Sequence, residues 1–185
     1  MHEERKDDIL SERIRCPCPD REDRSDLKRG VTRMLYGSII EQAKEILEEE
    51  SWYVSAMSNI SSLIMATLSD LNWAGFYLMK NSRLTVGPFQ GKPACIHIAP
   101  GKGVCGTAVV RNETVMVPDV HQFPGHIACD GASESEIVIP IRANGQVKAV
   151  LDIDSPVKNR FSPEDQEGLE QLAKLIGENV SWADH

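Results

Sequence analysis

Between Val31 and Glu50 the apolar positions Leu35, Ile39, Ala43, Ile46 and Leu47 recur every three or four residues, the spacing of one helix face. Val54, Met57, Ile60, Leu63 and Ile64 continue that period and predict a second helix from Trp52 to Leu68. The aromatic run LNWAGFYLM then predicts a strand over 73–79, with Lys80 to Arg83 as a turn into LTVGPFQG, so these two segments should pair as a hairpin. GKGVCGTAVVRNE suits a short helix from Gly103, TVMVP reads as a strand, and DVHQFPGHIACDGASESE is loop-like in its Pro, Gly, Ser and Asp content. In EIVIPIRANGQVKAVLDID two strand-like runs flank Asn144-Gly145, the pair preferred in two-residue type I′ turns. Ser162 is placed to N-cap a last helix, with Pro163 at its first position, Asp165 completing a capping-box pattern, and Leu169, Leu172, Ala173 and Ile176 as its buried stripe.

This order predicts an α+β domain with a central antiparallel sheet and helices packed mainly on one face. Residues 1–28 carry both charge signs, Pro17 and Pro19 and little apolar material, which predicts a disordered tail before a single domain over 29–185. The formal net charge of −8 argues against nucleic-acid binding. No apolar run approaches the roughly 18 residues of a membrane span. The start MHEERKDDIL has no apolar core of a signal peptide, so a cytoplasmic location is expected.

The cysteines change the picture. Cys95, Cys105 and Cys129 fall within one short stretch of an expected intracellular chain, where grouped thiols point to redox or metal chemistry rather than a disulfide framework. A zinc site from Cys95, Cys105, Cys129 and His97 or His126 is the metal alternative, but the paired C-x₂₋₄-C spacing of structural zinc is missing and no metal is assigned. Cys16 and Cys18 form a C-x-C pair too close for an ordinary disulfide and receive no role. Cys105 sits near the start of a predicted helix, where unpaired N–H groups and the dipole favour a thiolate.

Taken together, NWAGFYL, GKGVCG, VPDVHQFPGHIACDGAS, SEIVIPI and VLDIDSP resemble the GAF-domain free methionine-(R)-sulfoxide reductases, over roughly Tyr36 to the C-terminus. The resemblance implies a GAF-like fold and an enzyme of oxidative stress that reduces free methionine-R-sulfoxide. It implies Cys129 as the attacking thiol, Cys95 as the resolving thiol, a sulfenic acid closing to an intramolecular disulfide, and no bound cofactor. Thioredoxin, with its NADPH-dependent reductase, would be the external reductant, and a homodimer the assembly. The chemistry fits the residue types, since a thiolate must attack sulfur and a second thiol must condense with the sulfenic acid. On the residues alone Cys105 stays open as the attacker.

The resemblance also singles out Glu136, Asp152 and Asp154 as a polar pocket, with Trp73 and Tyr77 beside it. Asp152 and Asp154 are two apart in a strand, so they share a face, and mutual repulsion can keep one carboxyl protonated as a proton donor while another holds the substrate ammonium. Trp73 and Tyr77, four apart, share a face and could wall a slot for an S-methyl group. One conflict arises. A strict two-residue turn at Asn144-Gly145 places Ile137 opposite Asp152 and turns Glu136 away from both aspartates, so to join them Glu136 must lie either before the regular ladder or past a bulge, near Pro140. The substrate carboxylate has no obvious side-chain clamp, leaving backbone N–H groups near 117–120 or 126–133. His121 and His126 receive no role. A non-catalytic GAF-type small-ligand sensor is the alternative, on fold analogy alone, and an interaction protein with a redox-switched surface is a third reading.

Overall fold

A computed structural model describes residues 21–126 and 130–182. Helices α1 (Arg21–Glu49) and α2 (Tyr53–Thr67) precede β1 (Trp73–Lys80), β2 (Arg83–Gly91), the two-residue β3 (His97–Ile98), α3 (Gly103–Arg111) and β4 (Val115–Val117). A 3₁₀ turn (Val120–Gln122) leads to β5 (Ser135–Ala143), β6 (Gln146–Ser155) and α4 (Pro163–Asn179). The strands form one six-stranded sheet in the order β3-β2-β1-β6-β5-β4, antiparallel throughout.

Alternation along the central strands sorts side chains between two faces. Phe76, Leu78, Ile137, Ile139, Leu151 and Ile153 point to one face and pack with buried residues of α1, α2 and α4. Trp73, Tyr77, Val138 and Val150 point to the other, where they meet Val104, Cys105 and Ala108 of α3. Three helices thus cover one face and one short helix part of the other, in line with the expected α+β layering. No helix among the described residues is long and apolar enough to cross a membrane.

Both expected hairpin turns are present, with positive φ at Asn81 and Ser82 and at Asn144 and Gly145. The capping box of α4 forms: Ser162 Oγ accepts from Asp165 N–H, and Asp165 Oδ2 accepts from Ser162 N–H. Asp165 Oδ1 also accepts from Tyr36 Oη at 2.9 Å, which ties α1 to the start of α4. Gly168 makes that contact possible, since a Cβ there would lie 2.2 Å from the Tyr36 ring. The buried stripe of α1 consequently runs through Tyr36, Ile39, Ala43 and Leu47, whereas Leu35, expected on it, is exposed.

Two further differences concern element ends. α1 reaches back to Arg21, into the stretch expected as a tail, because residues such as Leu27, Lys28 and Arg29 are good helix formers and extend a helix already nucleated by packing. Residues 26–30 are exposed and add nothing to the core. Residues 1–20, with Cys16 and Cys18, lie outside the described residues. β3 was not anticipated, since a two-residue edge strand carries no period to read.

Candidate active site

The site lies on the α3 side of the sheet, where β1, β6 and β5 run side by side. Trp73 pairs with Asp154 and Gly75 with Asp152 across β1–β6, and Glu136 pairs with Asp154 across β5–β6. The conflict over Glu136 is resolved by a bulge: Ile141 pairs with Ala149 but Arg142 with Val147, leaving Lys148 as the extra residue. The irregularity falls just past Pro140, and it brings all three acids onto one face.

They line a narrow cleft together with Trp73, Tyr77, Cys105, His126 and Ser133. Trp73 is the centre of an aromatic wall, stacked on Tyr77 at 5.8 Å and on Phe89 at 5.2 Å between ring centroids. Its indole N–H donates to the Lys92 carbonyl. Glycine is required at position 75, where a Cβ would lie 2.2 Å from Phe89 Cβ and 2.8 Å from the Trp73 ring. Trp73 and Tyr77 are also almost fully buried, so they serve the core and the cleft at once.

Glu136 and Asp152 are each 6 % exposed. Burial pushes the carboxyls of Glu136, Asp152 and Asp154 well above the ordinary acid range, and repulsion among them pushes further: Asp154 acts on Glu136, Glu136 on Asp152, and Asp152 on Asp154. The Cys105 thiol lies within 4.8 Å of the Asp152 carboxyl, whose Oδ1 is buried without a hydrogen-bond partner among the described residues. The arrangement can hold a proton at neutral pH and hand it to an acceptor in the cleft.

Cys105 behaves opposite to the helix-terminus expectation. It occupies the first turn of α3, but burial, followed by the charges of Asp152 and Glu136, drives its thiol well above the usual range. Desolvation and two carboxyls outweigh the dipole, so Cys105 is a poor thiolate in this setting. Cys95 is half-buried and packs against the same apolar cluster as Val104 and Cys105. Cys129 lies outside the described residues, although His126 and Asp130 on either side of that segment both line the cleft.

His126, weighed from the sequence only as a zinc ligand, and Asp130, given no role, both line the cleft, and Phe89 stacks on Trp73. His126 Nε2 stands 3.5 Å from Glu136 Oε2, and burial lowers the imidazole pKa. Asp130 accepts from Lys92 Nζ at 3.1 Å and from Asn72 Nδ2 at 3.2 Å, and the Ala132 N–H leads the interactions that hold its carboxyl below the ordinary range. Phe89 completes the aromatic wall. His126 and Asp130 sit in loop sequence, where no period links a residue to a partner; Phe89 on β2 carried an aromatic signal but nothing that aimed it at Trp73. His97, weighed as a zinc ligand, is exposed on β3 against Thr85. His121 is exposed and faces Glu134 at 3.4 Å. Of the N–H groups considered for a carboxylate, those of Val120, His126, Ala132 and Ser133 are already bonded within the loops.

The family model described as GAF domain matches residues 55–181. Over 150 residues, 81% of this chain and 91% of the other, the sequence is 45% identical to the free methionine-R-sulfoxide reductase of Escherichia coli K12. The chain belongs to the GAF-domain free methionine-R-sulfoxide reductase family. A second family member, from Saccharomyces cerevisiae, is 51% identical over 135 residues, covering 69% of this chain and 75% of that protein. The structure of a family member from Neisseria meningitidis in complex with its substrate superimposes with a TM-score of 0.78 at 35% identity, covering 82% of this chain and 91% of that one. The six-stranded sheet described above is therefore that of a reductase family within the GAF fold.

Proposed function

We propose that this chain reduces free methionine-R-sulfoxide to methionine in the cleft of Glu136, Asp152 and Asp154. The observation that carries the reading is the buried carboxyl trio beside the Trp73–Tyr77 wall, in a chain of this family. The aromatic wall takes the S-methyl group, an ionised carboxylate of the trio holds the ammonium, and a protonated one donates to the sulfoxide oxygen. Gly103 and Val104 line the cleft in the first turn of α3, which has no side-chain cap, so their N–H groups are assigned to the substrate carboxylate.

Cys129 is the assigned attacker, since the raised thiol of Cys105 leaves that residue protonated. Its thiolate takes the oxygen from sulfur as a proton is delivered, giving methionine and a sulfenic acid on Cys129. The Cys95 thiol then condenses with the sulfenic acid, forming a disulfide and releasing water. A thioredoxin dithiol reduces that disulfide and is itself restored through NADPH, in the reducing cytoplasm. Leu27, Val31, Met34 and Leu35 form an exposed apolar stripe on α1, which we assign to a homodimer contact.

The deciding experiment supplies free R-sulfoxide, thioredoxin, thioredoxin reductase and NADPH to the reduced chain and follows NADPH consumption. Consumption is expected; its absence overturns the reading. Cys129→Ser should abolish a single turnover, and Cys95→Ser should spare the first turnover but block recycling. Loss of the first turnover in Cys105→Ser alone, with Cys129→Ser active, would reassign the attacker.

A further inference from the structure

The cleft brings together a soft-metal donor set that neither the sulfoxide chemistry nor the family match assigns. Ligand atoms of Cys105, Glu136 and Asp152 all lie within 4.8 Å of one another, and all three residues are buried. For three points so spaced, some position lies within about 2.8 Å of every one, so a closure of roughly half an ångström reaches Zn–S and Zn–O bond lengths of about 2.3 and 2.1 Å. The donors come from α3, β5 and β6, rigid elements that already hold them in place.

One observation outside the cluster's mere acidity points to a ligand there. Asp152 Oδ1 is buried, lines the cleft and lacks a hydrogen-bond partner among the described residues. One thiolate and two carboxylates, with a fourth position open to the cleft, suit Zn²⁺; the oxygen-only shells preferred by Mg²⁺ and Ca²⁺ are not available.

We propose that Cys105, Glu136 and Asp152 form a reversible inhibitory site for Zn²⁺. Binding itself is independent of the functional reading, while its inhibitory consequence rests on it: the ion occupies the carboxyls that the sulfoxide would use.

The test uses the full chain, fully reduced, with Co²⁺ as the spectroscopic probe and neither substrate nor reductase present, so that its failure is separate from failure of the functional reading. One equivalent of Co²⁺ should bind with intense tetrahedral d–d absorption and a thiolate charge-transfer band, and Zn²⁺ should displace it. The band should persist in a variant with Cys16, Cys18, Cys95 and Cys129 all replaced by Ser, and disappear in Cys105→Ser. Asp152→Asn, which needs no change of shape, should weaken Co²⁺ binding by about tenfold or more. No one-equivalent binding, a band surviving Cys105→Ser, or a band lost in the fourfold cysteine variant would overturn the site. Zn²⁺ that binds without slowing turnover would overturn its inhibitory role.

Discussion

The two faces of β1, β6 and β5 are built from the same strands, residue by alternate residue, and obey opposite rules. On one, Phe76, Ile139, Leu151 and Ile153 are sealed beneath α1, α2 and α4 in an apolar cluster. On the other, Glu136 and Asp152 are nearly as buried and Asp154 is half-buried, but beneath a single nine-residue helix and beside a cleft. The first face contributes stability through apolar burial; the second keeps carboxyls where their charged forms are disfavoured, which costs stability and creates a proton donor. Because the backbone alternates, a sheet can carry both without either set disturbing the other.

Moving an acid across the sheet should break this division most severely. Ile153→Asp puts an unpaired carboxylate among the helices, and we expect loss of the cooperative thermal transition, a cost of about 4 kcal/mol or more. A melt like that of the parent would show that the helix face tolerates charge and that the contrast is not physical.

Asp152→Asn probes the other face at constant shape. Turnover should fall by about 10²–10⁴ while the fold is kept. The raised carboxyls also set a sign for pH. Since the folded chain holds these protons above the ordinary range, its stability is greatest below that range and falls as pH rises through the elevated values. Urea midpoints measured from mildly acidic to mildly alkaline pH should therefore decline in the parent and decline less in Asp152→Asn. A steeper decline in the variant would contradict the assignment.

Leu151→Ala, one residue away but on the helix face, should cost about 2–5 kcal/mol of stability by creating a cavity, with kcat retained within about twofold below the melting range. A large loss of kcat would mean that packing on one face sets geometry on the other. The smallest effect is expected from deleting Lys148. The remaining residues can pair as a regular ladder with Ile141 still opposite Ala149 and Glu136 opposite Asp154, so activity should persist. Loss of activity with folding intact would assign the bulge a role beyond register.

The helices, both hairpin turns and the cap of α4 were legible because each depends on residues a few positions apart. Leu169 to Ile176 occupy the buried stripe read from their spacing. The same reasoning misplaced Leu35, since which face of α1 is buried was settled by Tyr36 reaching Asp165 across 129 positions. At the site, the shared face of Asp152 and Asp154 was readable from their two-residue spacing, and the need for a bulge from the turn arithmetic. Local sequence points Cys105 toward a thiolate, whereas burial in the folded core first, and then the acids of β5 and β6, raise its pKa. His126 and Asp130 were invisible as a pair of cleft residues for the same reason.

The sequence by itself determined the alternating faces, the type I′ turn at Asn144-Gly145, the cap of the last helix and the supply of thiols, acids and aromatics, consequences of backbone period and local hydrogen bonding. Only the tertiary structure decided that Lys148 would be the bulged residue, that Glu136 would meet Asp154, and that Cys105 would be a protonated thiol. Desolvation and charge repulsion depend on distances between atoms far apart in the chain, and those distances exist only once the sheet has closed.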